Sequence, residues 1–226
     1  MTAGLLDNIT WSALTGPHAH FSVGTGEARR YEKGFPGFAA FPDLVQPNFA
    51  ALAPYCERGE HLYTVGWSGA VPTGWQIDFD GAIFKMLWHG AAPAGDDAID
   101  VVPLTADHAG SAVELAKITR PGPFGPRNLN LGEYFGIFDG DRLIAMAGER
   151  LAAGTFREVS AVCTHPDHQG RGLARRLMNK VIRRQLEGGE TPFLHVMRSN
   201  ETARGLYARM GFREYHELTV RVVSRT

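Results

Sequence analysis

The chain has 226 residues, 44% of them hydrophobic and 21% charged, which is the composition of an ordinary globular protein. Its net charge is −1, whereas proteins that bind nucleic acids usually carry a strongly basic domain. The sequence contains no apolar run near the ~20 residues of a membrane helix, and its start lacks a secretory signal pattern. Its two cysteines fit a reducing compartment. We therefore predict a cytoplasmic protein with no nucleic-acid and no membrane partner.

Few elements are predicted in the first half of the chain. The pattern at 49–59 predicts a short helix that ends at Gly59. Aromatic and β-branched residues predict strands at 61–67 and 75–88. No cofactor motif is present in this half.

An Ala-, Pro-, Gly- and Asp-rich stretch at 89–100 has the composition of a linker. The charge balance changes there, because residues 1–99 hold 5 basic and 10 acidic residues whereas residues 100–226 hold 18 and 14. We predict an N-terminal domain over 1–98, of unknown role, and a second domain over 99–226. The first domain is either a degenerate copy of the second fold or an unrelated cap.

The second half alternates strands and helices more clearly. A hairpin is predicted at 134–151, because Asp139-Gly140-Asp141 stands between two apolar runs. The remaining predicted elements are strands at 99–105, 156–164, 192–198 and 212–223, and helices at 106–118, 172–189 and 200–211. Because strands and helices are mixed and a hairpin comes early, we predict an α/β sheet that is not purely parallel.

Two glycines, Gly170 and Gly172, stand where the helix at 172–189 begins. The first amides of a helix have no partner within it, the helix dipole adds positive potential, and glycine lets an anion approach closely. The amides of residues 170–175 are therefore expected to bind a phosphate. No Lys-Ser/Thr follows, which excludes a P-loop, and Arg175 stands where a dinucleotide fingerprint needs its third glycine.

Basic residues cluster around the same helix, without an acidic residue among them at 170–184. The cluster consists of Arg171, Arg175, Arg176, Lys180, Arg183 and Arg184. A patch this local suits a small polyanionic ligand better than a nucleic acid. On charge alone, a solvated helix face is the simpler interpretation.

The segment Gln169-Gly170-Arg171-Gly172-Leu173-Ala174 resembles the Gln/Arg-x-x-Gly-x-Gly/Ala loop of the GNAT superfamily of N-acetyltransferases. Residues 200–212 are similar to that family's Asn-x-x-Ala-x-x-x-Tyr-x-x-x-Gly-Phe segment, and both come in the family's order. The resemblance covers about 100–226 and is to an FR47-like C-terminal domain. It implies a mixed, mostly antiparallel GNAT-type sheet flanked by helices, here with an additional N-terminal α/β domain.

The resemblance implies an acetyl-CoA-dependent N-acetyltransferase that transfers acetyl directly from the thioester to a primary amine. Backbone groups of residues 162–164 would pair with the pantetheine arm, and the amides of 170–175 would hold the pyrophosphate. The implied cofactor-binding residues are Val162, Cys163, Thr164, Gln169, Gly170, Arg171, Gly172, Leu173, Ala174, Arg175 and Asn200. Asn200 could equally be a helix N-cap. A non-catalytic acyl-CoA-binding sensor or interaction module is the alternative, and a homodimer stays open.

Two residues are candidates for the chemistry. Glu158 lies in a mostly apolar strand, on the face that alternation gives to Ser160, Val162 and Thr164, and is the candidate base. A solvent-facing residue or an arginine partner is the alternative for it. Tyr207 falls at the family's tyrosine position and is the candidate acid for the departing thiolate, with a core tyrosine as the alternative.

Other candidates receive simpler interpretations. Cys163 is interpreted as a small core residue and not as a nucleophile, and His195 as a buried strand histidine. The histidines at 18, 20, 165 and 168 lack a completed ligand set, so no metal site is predicted. The loop after the helix at 106–118 is expected to border the acceptor, with Phe124, Arg127 and Tyr134 lining it.

Overall fold

A computed structural model of the protein describes residues 3–94 and 100–226. Its α-helices are α1 (Ala3–Asp7), α2 (Ile9–Thr15), α3 (Phe49–Leu52), α4 (Ala109–Thr119), α5 (Leu173–Glu187) and α6 (Glu201–Met210). Its strands are β1 (Ser22–Gly24), β2 (Arg29–Tyr31), β3 (Ala39–Ala40), β4 (Leu62–Val65), β5 (Trp75–Trp88), β6 (Val101–Pro103), β7 (Tyr134–Asp139), β8 (Arg142–Ala153), β9 (Phe156–Thr164), β10 (Thr191–Met197) and β11 (Phe212–Arg225). The elements predicted after residue 100 are confirmed, including the turn at Gly140 between β7 and β8.

A large sheet of eight strands, in the order β4-β11-β5-β10-β9-β8-β7-β6, forms the centre of the molecule. Neighbouring strands run antiparallel, except that β9 and β10 run parallel. The mixed, mostly antiparallel sheet that the sequence predicts is therefore confirmed. A three-stranded sheet, β1-β2-β3, belongs to the N-terminal segment.

The N-terminal segment supplies two strands of the large sheet, and β5 lies between β10 and β11. The division into 1–98 and 99–226 therefore needs correction, because a sheet strand taken from the first range is paired on both edges with strands from the second. The predicted boundary at 98/99 itself lies outside the described residues. This pairing could not be predicted from the sequence, since strand partners more than 100 residues apart leave no local pattern.

Two layers cover the faces of the large sheet. Helix α5 packs one face through Leu177, Met178 and Val181, which lie in the same apolar cluster as Val159 of β9 and Leu194 of β10. On the other face, α2 packs beside Leu151 and Phe193, and α4 packs near Cys163. Helices α1 and α2 were not predicted.

A gap between β9 and β10 is the feature of the sheet that matters most for function. The two strands pair only from Thr191/Phe156 to Phe193/Glu158 and then separate. Ala161 has a φ of 52°, and the register of β9 against β8 shifts beside it, which marks a β-bulge. Beyond the bulge, the last residues of β9 keep β8 as a partner, while their edge towards β10 has no strand partner at 3–94 or 100–226.

Candidate functional site

The turn before α5 has the conformation that its glycines predict. Gly170 and Gly172 have φ values of 78° and 74°, and a Cβ built on either would meet no atom within 4 Å. Such a backbone strains most side chains, which is why glycine stands at both positions. The first helical hydrogen bond in α5 runs from the Arg176 amide to the Gly172 carbonyl at 3.1 Å. The amides just before Arg176 are therefore free to bind an anion.

The basic cluster around α5 is partly neutralised by acidic residues. Arg176 pairs with Asp100 at 2.6 Å, and Arg184 pairs with Glu133 and Glu190, each at 2.6 Å. Arg171 and Arg175 are exposed beside the glycine turn. About half of the cluster is therefore paired with acidic residues, and two of its other cations, Arg171 and Arg175, stand near the turn.

A cleft of about 740 Å³ joins the glycine turn to the gap between β9 and β10. All eleven of the predicted cofactor-binding residues line it: Val162, Cys163, Thr164, Gln169, Gly170, Arg171, Gly172, Leu173, Ala174, Arg175 and Asn200. Tyr207 lines it as well. We call this space the cofactor cleft.

Asn200 caps α6, because its side-chain oxygen accepts a hydrogen bond from the Ala203 amide at 3.1 Å. The cap uses the oxygen, so the side-chain amide remains available as a donor at the edge of the cleft. The two interpretations of Asn200 are therefore compatible.

Glu158 does not lie where the sequence analysis placed it. The bulge at Ala161 breaks the alternation along β9, so that Val159 and Val162 both lie in the cluster under α5, while Ala161 and Cys163 lie under α4. The predicted common face of Glu158, Ser160, Val162 and Thr164 is therefore wrong, because an added residue reverses the side-chain direction beyond it.

The carboxylate of Glu158 is completely buried and has no free acceptor position. Arg150 donates to its two oxygens at 2.9 and 2.7 Å, the Leu151 amide donates at 3.2 Å, and His195 Nδ1 lies at 2.8 Å. An ionised carboxylate has about four acceptor sites, and four donors occupy them here. Burial would raise the pKa of Glu158, but the charge and hydrogen bonds of Arg150, with a further bond from His195, hold it well below its ordinary value. Glu158 is thus not placed to take a proton from a substrate.

His195 continues this chain of contacts. Because an ionised carboxylate can only accept, Nδ1 of His195 carries a hydrogen and donates it to Glu158. Burial lowers the pKa of His195, which the Glu158 carboxylate offsets only in part, so the imidazole is neutral. Its Nε2 therefore holds a lone pair, and this atom is buried without a hydrogen-bond partner among the residues that the structure describes.

Tyr207 lies on α6 in the cluster under the sheet, and it lines the cofactor cleft. Burial raises the pKa of its phenol to about 12. The hydroxyl is therefore protonated at neutral pH and can donate a hydrogen bond.

Cys163 is buried, and burial raises the pKa of its thiol to about 11. A thiol of this kind holds almost no thiolate at neutral pH and is a poor nucleophile. The interpretation of Cys163 as a core residue agrees with these facts.

The loop after α4 contributes different residues from those predicted. Arg127 pairs with Glu32 at 2.9 Å, and Phe124 packs against the buried Tyr134 with ring centroids 6.1 Å apart. These three side chains stabilise the loop and do not line the cofactor cleft. Residues 120–123 line a second cavity in their place, and this cavity also contains Arg150 and His195.

Two features are absent from the described part of the chain. No group of three or more metal-ligating side chains occurs at 3–94 or 100–226. No helix in these ranges is long and apolar enough to cross a membrane.

Comparison with known proteins agrees with this geometry. The family model described as FR47-like protein matches residues 134–222. A protein from Novosphingobium aromaticivorans DSM 12444, assigned to the GNAT family of acetyltransferases, is 34% identical, with 98% of each chain covered and a TM-score of 0.90. No curated protein matches the chain.

More distant structures share the fold. A GCN5-related N-acetyltransferase-like protein from Streptococcus suis 89/1591 is 15% identical over 99% of this chain and 97% of its own, with a TM-score of 0.58. A GCN5-related N-acetyltransferase from Kribbella flavida is 18% identical over 99% and 93%, with a TM-score of 0.56. Both likenesses extend through the N-terminal segment as well as through the cofactor cleft.

Proposed function

Because the chain belongs to the GNAT family of acetyltransferases, we propose that it transfers an acetyl group directly from acetyl-CoA to a primary amine. One observation carries the proposal: the glycine turn and the gap between β9 and β10 form a single cleft. The turn suits a phosphate, and the unpaired strand edge suits an extended chain with amide groups. Acetyl-CoA carries both kinds of group in one molecule: a pyrophosphate and an extended pantetheine arm with amides.

Different residues of the cleft would bind different parts of acetyl-CoA. Acetyl-CoA supplies the activated thioester. The free edge of residues 162–164 pairs with the amides of the pantetheine arm, and the amides of 170–175 hold the pyrophosphate. Arg171 and Arg175 are exposed beside the turn and can reach phosphate oxygens. The side-chain amide of Asn200 donates to the arm.

Tyr207 would stabilise the departing thiolate. Burial raises the pKa of its phenol to about 12, so the hydroxyl keeps its proton at neutral pH and can donate a hydrogen bond to the charge that develops on sulfur. This refines the role of acid that the sequence resemblance implies.

The transfer would need no acetyl-enzyme. Cys163 lines the cleft, but its raised pKa of about 11 leaves it protonated. The amine then attacks the thioester itself, which requires both substrates to be bound together.

The proposal is tested by incubating the protein with acetyl-CoA and a set of primary amines. Release of free CoA thiol should depend on the amine, and mass spectrometry should find the acetamide. Tight CoA binding without transfer to any primary amine would contradict the proposal and favour a sensor.

We also infer a reducing compartment such as the cytoplasm. Both cysteines, Cys56 and Cys163, are free and buried, which supports this inference. Fractionation of cells that produce the protein tests it.

A further inference from the structure

The second cavity has a volume of about 240 Å³ and lies beside the cofactor cleft. Val162, Asn200 and Tyr207 line both spaces, so the two meet where β9 and β10 separate. A molecule in this cavity would face the thioester end of acetyl-CoA held in the cleft. We call this space the acceptor cavity.

The walls of the acceptor cavity are mostly apolar. The apolar side chains come from many parts of the fold and are Phe38, Tyr63, Val65, Phe79, Ile83, Leu151, Val196, Met197 and Val220. Phe79 is 45% exposed, so an aromatic ring stands at the rim. The volume is below the ~300–1,000 Å³ of pockets for drug-sized ligands, which indicates a small acceptor.

The charges of the cavity argue against a polycationic acceptor. Among the described residues that line it there is no carboxylate; Arg120 contributes a positive charge, and the charge of Arg150 is balanced by its ion pair with Glu158. A second ammonium group carried into this space would lose its water without finding an opposite charge. Polyamines and aminoglycoside-like acceptors are therefore disfavoured.

The polar end of the cavity contains His195, whose side chain is 8% exposed. Glu158 holds Nδ1 of this imidazole, and Arg150 in turn fixes Glu158 with two hydrogen bonds. The other nitrogen, Nε2, is the buried atom without a partner. A carboxylate that orients an imidazole and leaves its second nitrogen basic is the arrangement of a general base.

The charged groups around His195 come from three neighbouring strands. Glu158 lies on β9 and Arg150 on β8, and Lys85 of β5 lies directly opposite His195 in the sheet. The ammonium group of Lys85 donates its hydrogen bonds to the carbonyls of Leu6 and Asp7 and not to His195. Burial and these two cations outweigh Glu158 and keep the imidazole neutral.

We propose that the acceptor is a primary amine carried on a small apolar or aromatic body, that this body occupies the acceptor cavity, and that Nε2 of His195 takes the proton of the amine. The proposal rests on the acetyltransferase function proposed above and names its substrate class and its base. Glu158 and Arg150 act through His195 and are positioning residues.

The proton and bond changes balance as follows. The lone pair of the neutral amine forms the C–N bond at the thioester carbonyl carbon. The nitrogen, now positively charged, gives one proton to Nε2 of His195. The C–S bond breaks, and the thiolate leaves with a hydrogen bond from Tyr207. The imidazolium gives its proton to water, and the released thiolate takes one from water, so that the products are an acetamide and CoA thiol.

The substrate class is tested by measuring kcat/KM for phenethylamine, hexylamine, spermidine and a lysine-containing peptide. We expect the first two to exceed the others by at least tenfold, since apolar burial favours them. A best substrate with a second positive charge would overturn the substrate class while leaving N-acetylation intact. Absence of transfer to all amines would instead contradict the proposed function.

A charge placed at the rim sharpens this test. Phe79→Glu should lower kcat/KM for phenethylamine at least tenfold. The ratio of kcat/KM for phenethylamine to that for spermidine should therefore become smaller. Val71→Glu is the matched control, because Val71 is 42% exposed and does not line the cavity. Equal effects of the two variants would show that the cavity does not hold the acceptor.

The base is tested with His195→Ala. We expect kcat/KM, calculated on the neutral amine, to fall by ~10²-fold or more while CoA affinity stays unchanged. Added imidazole should restore part of the rate, and the acid limb of the pH profile should disappear. Should the alanine variant melt early, His195→Gln fills the space, can still donate to Glu158, and gives the same comparison. Wild-type activity in either variant would overturn the role of His195.

Discussion

The cofactor cleft and the acceptor cavity meet at the same gap in the sheet but are built in different ways. More than half of the residues that line the cleft come from one short stretch, 162–175, with additions from the end of α4, the loop after it, and α6 with its N-cap. The acceptor cavity is made of side chains that are spread from Thr10 to Val220. The cofactor cleft is therefore a local structure, whereas the acceptor cavity exists only when the whole sheet is assembled.

This difference predicts how each region responds to change. A site of backbone amides depends on conformation and on open space, so a single added Cβ branch is enough to damage it. A site of packed side chains depends on burial and charge balance, so the loss of one ion-pair partner damages it together with the fold. The following substitutions separate the two regions, from the largest effect to the smallest.

Arg150→Met should have the largest effect, and it should act on the fold. The variant leaves Glu158 buried and charged without its guanidinium, and breaking such a pair costs about 3–5 kcal/mol of unfolding free energy. Arg157→Met is the control, since it breaks an ion pair to Glu190 that is partly exposed, and exposed pairs contribute about 0–1 kcal/mol. Urea unfolding measures the free energy of unfolding of both variants. Equal losses of this free energy would contradict the importance of burial.

The pH dependence of this loss has a definite sign. The pKa of Glu158 is depressed in the folded protein, so its ionised form adds stability above the ordinary carboxyl pKa of about 4.3, and this is lost as the pH falls through the depressed value. Without Arg150, burial raises the pKa of Glu158, and acid then neutralises the unpaired charge. The difference between wild type and Arg150→Met should therefore shrink from pH 7 to pH 4.

Tyr207→Phe should act on the rate alone. A hydrogen bond to a charged group contributes about 1.5–3 kcal/mol, so kcat should fall by roughly 10- to 100-fold when the hydroxyl is removed. The ring and its packing remain, so CoA affinity and melting temperature should stay near those of wild type. Tyr215→Phe, which removes a hydroxyl that donates to Asp7 away from both cavities, should leave kcat unchanged. Full activity of Tyr207→Phe would remove its role in the chemistry.

Gly172→Val should weaken CoA binding by ~10-fold or more, because a branched Cβ would stand in the path of the pyrophosphate. Gly189→Val is a matched control at the other end of α5. Its φ of 71° is close to the 74° of Gly172, and its Cβ also meets nothing within 4 Å. Both variants carry the same backbone strain, so calorimetry should find the CoA defect only in the first.

Cys163→Ala should have the smallest effect, with activity retained. The buried thiol is protonated, so acetyl-CoA alone should leave no adduct on the protein when intact mass is measured. A trapped acetyl group on Cys163, together with loss of activity in the variant, would replace direct transfer by a two-step mechanism.

The contrast between the two regions also explains what the sequence could predict. The cleft lies within a short stretch whose glycines, helix start and strand end follow one another, so all of its predicted residues line it. The elements after residue 100 were predicted for the same reason. Local sequence patterns were enough to predict those parts of the structure that are formed by residues close together in the chain.

The acceptor cavity could not be predicted in this way. Glu158 was assigned to the wrong face because a bulge at Ala161 leaves no mark in the sequence, and His195 was set aside as a buried strand histidine. The available signal was weak: Arg150, Glu158 and His195 are polar residues in three mostly apolar strands. Their common meeting point follows from the strand order, which local patterns do not reveal.

Because β5 lies between β10 and β11 in the sheet, it cannot pair with its neighbours until these later strands have been synthesised. Trp88 of β5 pairs with Phe212, which is made 124 residues later, so at about 5–20 residues per second the ribosome delays this pairing by roughly 6–25 s. Until β10 is made, from residue 191 onwards, this 14-residue strand has neither of its neighbours in the sheet. Contacts of such long sequence separation form slowly and leave an open strand edge exposed to other chains. Nascent chains that stop before residue 191 should therefore be the ones that most need a chaperone.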